Sequence, residues 1–224
     1  MTLARGGLLE AAEAFEVTLA DTPEKLRAVY RLRHQIYCME RGYEPGEGTL
    51  ETDRFDLRAQ HALLTQRSTG RLVGTVRIIA SSPTGPDADL PMNSLCESPV
   101  IRSLPRRGTG EISRFAISKS LRDAGVDGIP LRLGLMRGVV QLSAEMGIHN
   151  WCAVMEHTLL RLLRGSGIHF QPIGPAVEHH GLRQPCWAPV GQVLGRMRQE
   201  RPDVWTYVTN GGSLWQDVPQ AAAA

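Results

Sequence analysis

A mixed, twisted β-sheet flanked by helices, an α/β (α+β) domain, is the fold class this sequence predicts. Three observations lead there. Two apolar runs, 61–65 and 72–79, bracket the turn Ser68-Thr69-Gly70 and read as a hairpin. Two further runs, 111–118 and 148–155, are separated by a helical pattern over 130–146. That strand-helix-strand order implies a right-handed crossover and at least one parallel pair. Helical apolar spacing recurs before and after these runs, which supplies helices to cover the sheet.

Along the chain, a helix opens at Thr22-Pro23-Glu24, with a polar cap and proline at the first helical position. Leu26, Val29, Tyr30, Arg33 and Tyr37 carry it forward at helical spacing. Glycines and Pro45 make 42–48 a loop. The hairpin follows, and then a long proline-bearing loop over 81–107, of a length often tied to function. After the 111–118 strand comes a loop to Pro130, and the next helix stops at Gly147, as a glycine C-cap does. A short helix over 157–164 ends at Gly165-Ser166-Gly167. Final strands are expected over 168–173 and 182–187, with a helix over 190–200 stopped near Pro202. Residues 1–13 and 211–224 are small or Gly/Ala-rich and are expected to be flexible ends around one domain, 14–210.

Composition narrows the function classes. At 224 residues the chain is long enough for one large domain. Aromatics make up 5%, too few for a base-stacking surface, and a net charge of +2 does not point to nucleic acid. Charge is uneven, however. Between 102 and 137, Arg102, Arg106, Arg107, Arg114, Lys119, Arg122, Arg132 and Arg137 outnumber Glu111, Asp123 and Asp127. Such a surface attracts an acidic protein or a phosphate-bearing ligand. Cys38, Cys96, Cys152 and Cys186 show no zinc-ligand spacing, so no metal is expected. No apolar run approaches the ~20 residues of a membrane span, and the N-terminus lacks a signal-peptide core, which makes a cytoplasmic location the simplest.

The charged residues inside apolar segments carry the chemistry. Glu111 and Arg114 lie three apart in the 111–118 strand, on opposite faces of a flat strand; a bulge would bring both to one face as a buried pair. That pair reads either as a structural salt bridge or as part of a site. Asp53 and Asp56, also three apart, can converge on one cation, or can form a solvated acidic turn. Arg33 shares a helix face with Tyr30 and Tyr37, where a guanidinium anchors a carboxylate or simply covers apolar neighbours. Arg77 falls in the apolar 72–79 strand and needs a partner there, for which Asp53, Asp56 and Glu111 are the natural choices. Arg33, Asp53, Asp56, Arg77, Glu111 and Arg114 together suggest a polar active-site network. Glu156 and His157 sit where a strand meets a helix, where Glu156 reads as a helix cap ahead of a catalytic group.

The runs Leu32-Arg33-His34-Gln35-Ile36-Tyr37, Tyr43, Glu51-Thr52-Asp53-Arg54-Phe55-Asp56, Gly74-Thr75-Val76-Arg77 and Glu111-Ile112-Ser113-Arg114-Phe115 resemble, in order and spacing, the acyl-homoserine-lactone synthases. The family's usual aromatics are replaced here by Tyr37 and Tyr43. The second half, from Gly147-Ile148-His149-Asn150-Trp151 to His180-Gly181-Leu182-Arg183-Gln184-Pro185, is similar to acyltransferases associated with PEP-CTERM/exosortase systems, themselves akin to long-chain N-acyl amino acid synthases. This second resemblance spans most of the chain and is the closer.

The resemblance implies a GNAT-like fold and an N-acyltransferase that moves a long-chain fatty acyl group from an acyl-carrier-protein thioester to a small amine such as an amino acid. It implies Glu111 as general base with Arg77 and Arg114 orienting it. Arg33, Tyr37, Tyr43, Asp53, Asp56 and Phe115 are then the substrate-binding set, and Ile117, Lys119, Arg122 and Arg132 the donor-binding set. Within the latter, Lys119 and Arg122 read either as ligands of one phosphate beside helix N-terminal amides or as solvated loop residues. The donor would lie in a splayed groove between the 111–118 and 148–155 strands. The stretch 118–128 lacks the Arg/Gln-x-x-Gly-x-Gly form of the GNAT pyrophosphate loop, which favours carrier-protein phosphopantetheine over acyl-CoA as donor. No tightly bound cofactor is implied. Two rivals are homoserine-lactone synthesis from S-adenosylmethionine and a non-catalytic acyl- or carrier-binding module.

Overall fold

The computed structural model describes residues 5–45, 48–82, 90–96, 98–123 and 127–215, with the Arg5, Arg122 and Asp123 side chains outside that description. Within them one eight-stranded sheet runs β1 (Phe15–Leu19), β2 (Ala59–Gln66), β3 (Arg71–Ala80), β4 (Thr109–Ile117), β5 (Asn150–Glu156), β8 (Leu182–Pro189) and β6 (Gln171–Pro172), with β7 (Val177–Glu178) also paired to β8. Every pairing is antiparallel except β4 with β5. The expected hairpin is β2–β3, and Gly70 in its turn has φ +65, a conformation that favours glycine.

Strand alternation divides the sheet into two faces. On one, Ala62, Leu64, Val76, Ile78 and Ile112 pack against α6 (Gly128–Met146), and all are buried. Asp127 caps α6 through the Ile129 amide, and Gly147 ends it with φ +64. Helix and sheet approach so closely that a Cβ on Gly138 would lie 2.6 Å from the Ala62 Cβ. Trp151, buried on β5, ties the layers together by donating its indole N–H to Ser143 Oγ at 2.8 Å.

On the other face, His61 stands opposite Arg77, Arg77 opposite Ser113, and Ile79 opposite Glu111. Directly opposed residues share a face, so the charged residues of β3 and β4 gather there. This face is covered by α2 (Pro23–Arg33), its π-helical continuation His34–Glu40, a 3₁₀ turn Arg54–Arg58, and the short helices α3 (Pro91–Leu95) and α4 (Pro99–Arg102). Thr22 caps α2 as its sequence predicts, accepting from the Lys25 amide.

β4 and β5 pair for three positions only, Thr109↔Asn150, Gly110↔Trp151 and Glu111↔Cys152. Beyond Glu111 each strand follows its other neighbour, β4 along β3 and β5 along β8. The cause sits in β4: the register slips between Thr75 and Arg77, and Arg114 adopts φ +49. Such a bulge bends the strand, and a V-shaped notch opens between β4 and β5.

Several expectations are corrected. Residues 5–13, expected to be part of a flexible end, form α1 (Arg5–Glu13), whose Leu8 and Ala12 join the core; Leu214 and Trp215 also pack on that core. Residues 1–4 and 216–224 lie outside the described residues. The 81–107 loop contains α3 and α4, and the 168–173 strand shrinks to β6. The loop before Pro130 contains α5 (Lys119–Asp123). β1 and α9 (Pro202–Val208) were not expected. α7 (His157–Gly165) and α8 (Val190–Glu200) stand where the sequence places helices.

Candidate active site

The charged face is built from local structure upward. At the 3₁₀ turn, Asp53 Oδ1 accepts the Phe55 amide at 2.9 Å and Asp56 Oδ2 accepts the Asp53 amide at 2.8 Å. This reciprocal cap fixes both carboxylates toward β3. There Arg77 takes Asp53 in a two-pronged contact, at 2.8 and 2.7 Å, and reaches Asp56 Oδ1 at 2.6 Å. Its Nε donates to Ser113 Oγ at 2.8 Å. From α2, Arg33 donates to the same Asp56 oxygen at 2.6 Å and to Glu51 Oε2 at 2.5 Å. The bulge turns Arg114 to this face, where Nη2 donates to Glu51 Oε1 at 2.7 Å and to Asp53 Oδ2 at 3.3 Å.

The contacts close a ring of alternating sign: Arg33, Glu51, Arg114, Asp53, Arg77, Asp56 and back to Arg33. Arg33 and Arg77 are buried, and so is Glu51. Burial alone would raise the Asp56 pKa, but the Arg33 hydrogen bond, the Arg33 and Arg77 charges and the Asp53 amide outweigh it and bring it down to about 2. Asp53 and Glu51 are likewise held below their usual range against the effect of burial. His61 lies with Nε2 3.5 Å from Asp56 Oδ1. Burial, reinforced by the Arg33 charge, lowers its pKa to about 4, so it is neutral near pH 7. The ring is neutral as a whole, and removing one of its members Arg33, Arg77 or Glu51 breaks a pairing that buried charges depend on.

Glu111 stands apart from the ring. The expected pairing with Arg114 and Arg77 is corrected: those two guanidinium groups are taken by Glu51, Asp53, Asp56 and Ser113. Glu111 Oε2 instead accepts the Met92 amide at 2.9 Å. Its carboxyl is buried among apolar neighbours, and burial raises its pKa to about 8, against the Met92 hydrogen bond and the Arg77 charge. Glu111 is also the last residue of β4 paired to β5, so it marks the apex of the notch.

A cavity of about 170 Å³ opens through that notch. Tyr37, Arg41, Ser113 and Arg183 line it on the charged side. Leu131, Met136, Leu159, Leu163 and Phe170 line it further in. Of the expected substrate- and donor-binding residues, Tyr37, Phe115, Ile117 and Arg132 line this cavity. Tyr43 does not; its ring stacks on His180 at 4.6 Å and tilts against Tyr37 at 6.4 Å. Lys119, expected in the donor-binding set, does not line this cavity. Its ammonium donates to the Glu40 carbonyl at 2.6 Å and its amide to the Glu40 carboxylate at 2.9 Å. The Arg122 side chain lies outside the described residues. Sequence reasoning missed Glu51, Ser113, Arg41 and Arg183. Glu51, Ser113 and Arg183 stand in the runs Glu51–Asp56, Glu111–Phe115 and His180–Pro185 that carry the resemblance, without a role of their own there; Arg41 had no signal. Among the described residues no cluster of three or more His, Cys, Asp or Glu is arranged to hold a metal ion, and no helix is long and apolar enough to cross a membrane.

Residues 32–129 match the family model described as an acetyltransferase (GNAT) domain, a stretch that contains the whole ring and Glu111. Among solved structures, TofI in a ternary complex with an inhibitor and MTA is 20% identical with TM-score 0.61, covering 84% of this chain and 99% of that one. BjaI, a CoA-dependent acyl-homoserine lactone synthase, with SAM and isopentyl-CoA, is 22% identical with TM-score 0.61, covering 88% and 99%. FeeM, an N-acyl amino acid synthase from uncultured soil microbes, is 19% identical with TM-score 0.59, covering 81% and 93%. No curated protein sequence matched. The fold is therefore GNAT-like, with the mixed twisted sheet and flanking helices that the sequence predicts.

Proposed function

We propose that this protein is an N-acyltransferase that moves a long-chain fatty acyl group from an acyl-carrier-protein thioester to the amine of a small acceptor such as an amino acid, in the cytoplasm. The observation that carries this reading is the path of the cavity: it starts beside the ion-pair ring, passes the β4–β5 notch and ends among aliphatic side chains. Burial against that aliphatic lining would stabilise each methylene of a fatty chain by about 0.8 kcal/mol, with its thioester resting in the notch. Beyond Glu111 the edge of β4 that faces β5 has no ladder partner, so its amides are available to a tetrahedral oxyanion.

In the reaction the acceptor nitrogen attacks the thioester carbonyl carbon, the C–S bond breaks, and the acceptor's proton must leave. Glu111 is the group suited to take it. A carboxylate with pKa near 8 is a far stronger base than an ordinary one, and it matches a near-neutral working pH. Glu111 lies two residues along β4 from cavity-lining Ser113, about 6.6 Å in strand rise, so the proton reaches it through water and not by direct contact. The thiolate of the carrier's phosphopantetheine takes up a proton and departs as thiol. The ring performs no proton transfer; it holds β3, β4 and the 51–58 segment in fixed relation around the notch. The Glu40 carboxylate, which also accepts the Ser118 hydroxyl at 2.9 Å, fills the start of α5. By the GNAT resemblance a CoA pyrophosphate would sit there, which supports a carrier-protein donor over acyl-CoA. The resemblance over 147–185 to PEP-CTERM/exosortase-associated acyltransferases supports the long-chain assignment.

Incubation with hexadecanoyl-carrier protein and a pool of the proteinogenic amino acids tests this. Free thiol and N-acyl product in equal amounts are expected, with a loss of at least about 100-fold in Glu111→Gln. Absence of product, or full activity in that variant, refutes the reading. Homoserine-lactone synthesis is the second reading, favoured by the likeness to BjaI. It predicts methylthioadenosine release once S-adenosylmethionine is added.

A further inference from the structure

The mouth of the cavity carries a second charged cluster that acyl transfer as described does not use. Arg41, which follows the π-helical stretch, and Arg183, on β8, both line the cavity and converge on one carboxylate, that of Glu156 at the end of β5. Their contacts to it, 3.7 and 3.3 Å, are longer than charge-assisted hydrogen bonds, and the Glu156 side chain is 43% exposed. Solvent screening leaves such a pairing weak. Two guanidinium groups face the single Glu156 carboxylate here, while the nearby Glu44 carboxylate is turned to His180 and Arg114. The Arg183 Nε is buried with no hydrogen-bond partner. An unpaired donor of that kind wants an acceptor. Tyr43 fixes the orientation of both guanidinium groups, which lie 5.5 and 6.0 Å from its ring centroid, and is itself stacked on His180. Glu44 lies 3.6 Å from His180 and 3.7 Å from Arg114 and links this cluster to the ring.

We propose that Arg41 and Arg183 are the binding site for a carboxylate on the acceptor, so the acceptor class is amino acids and other amines that bear a carboxylate, not simple amines. The proposal rests on the N-acyltransferase reading. The planar fork of an arginine matches a carboxylate in two-pronged fashion, and a substrate carboxylate seated between the pair supplies the acceptor that Arg183 Nε lacks. It also replaces the loose contacts to Glu156. Because both arginines line the mouth and not the aliphatic interior, a carboxylate held there leaves the amine of the same small molecule beside the thioester. The donor's phosphate is the other anion that such a pair attracts, and the test separates the two.

Hexadecanoyl-carrier protein is offered with either a pool of the proteinogenic amino acids or a matched pool of their carboxamides, to wild type, Arg41→Gln and Arg183→Gln. Wild type should use the acids at least tenfold better than the amides in kcat/KM. Each variant should raise the acceptor KM at least tenfold and lose the acid preference, with the donor KM unchanged. Equal use of acids and amides by wild type overturns the proposal without any variant, and so does a preference that survives both substitutions. A rise in donor KM alone assigns the pair to the phosphate and overturns it too. Thiol release with the amide pool but no acid preference sinks this inference and leaves acyl transfer standing; no thiol release with either pool sinks both.

Discussion

Replacing Glu111 with glutamine should make the protein more stable in mildly alkaline solution while it removes acyl transfer. Glutamine keeps the carbonyl oxygen that accepts the Met92 amide, so packing and the hydrogen bond survive and only the ionisation is lost. The folded pKa of Glu111 is raised from 4.5 to about 8. For an acid shifted upward, the folded state favours the protonated form. The protein then pays no penalty below pH 4.5, and stability is lost progressively as pH rises from 4.5 to about 8. The shift is 8 − 4.5, about 3.5 units, and at 1.36 kcal/mol per unit the full cost is on the order of 5 kcal/mol. Between pH 5 and 8.5 the stability gap between variant and wild type should therefore widen by about 4 kcal/mol. For a chain of this size that is roughly 10 °C in melting temperature. Scanning calorimetry of both proteins at intervals from pH 5 to 8.5 measures it. A melting-temperature difference that stays constant over this range would refute the account of Glu111 as a buried carboxyl without a cationic partner.

The same ionisation predicts that kcat/KM for acyl transfer rises about tenfold per pH unit below pH 8 and levels above it; a flat profile from pH 6 to 8.5 would remove Glu111 as the base. Asp56→Asn should cost about 3–5 kcal/mol in urea unfolding at pH 7, because Arg33 and Arg77 both lose a carboxylate. Since the folded pKa of Asp56 is depressed from 3.8 to about 2, its contribution is present above pH 3.8 and fades as pH falls toward 2, so variant and wild type should converge in acid. Gly138→Ala should lose about 1–2 kcal/mol despite alanine's better helix propensity, because the new methyl meets the Ala62 Cβ at 2.6 Å on a strand that has little room to move.

The frame was legible because its signals are local. The hairpin turn, the Thr22 cap, the Gly147 stop and the α8 boundaries depend on residues adjacent in the chain. α1 was missed because its small residues look like a frayed end, and only contact with α6 and α9 gives Leu8 and Ala12 a place to be buried. The ring was half legible. Charges inside apolar strands announce that partners must exist, and the bulge that turns Arg114 inward follows from the cost of leaving it on the α6 face. Which acid meets which arginine is a matter of tertiary placement. Glu51 and not Glu111 took Arg114, because the 3₁₀ turn delivers the 51–56 acids to the ring while α3 offers Glu111 a backbone amide. Lys119 looked available because its partner Glu40 is 79 residues away in sequence. Arg183 stood in the His180–Pro185 run without an assigned role, since that role depends on β8 lying beside β5.

The central claim is that a fatty chain enters through the β4–β5 notch and lies in the cavity behind it. Leu159 lines that cavity from α7 and is only partly buried, so Leu159→Trp fills space without emptying the core. Wild type and variant are given an equimolar mixture of carrier proteins bearing acyl chains from six to sixteen carbons, and the N-acyl products are weighed by mass spectrometry. The account predicts that the variant shifts its products toward shorter chains by several carbons at comparable total turnover of the shortest. An unchanged product distribution, in a variant that folds as wild type does, would place the chain elsewhere and contradict it.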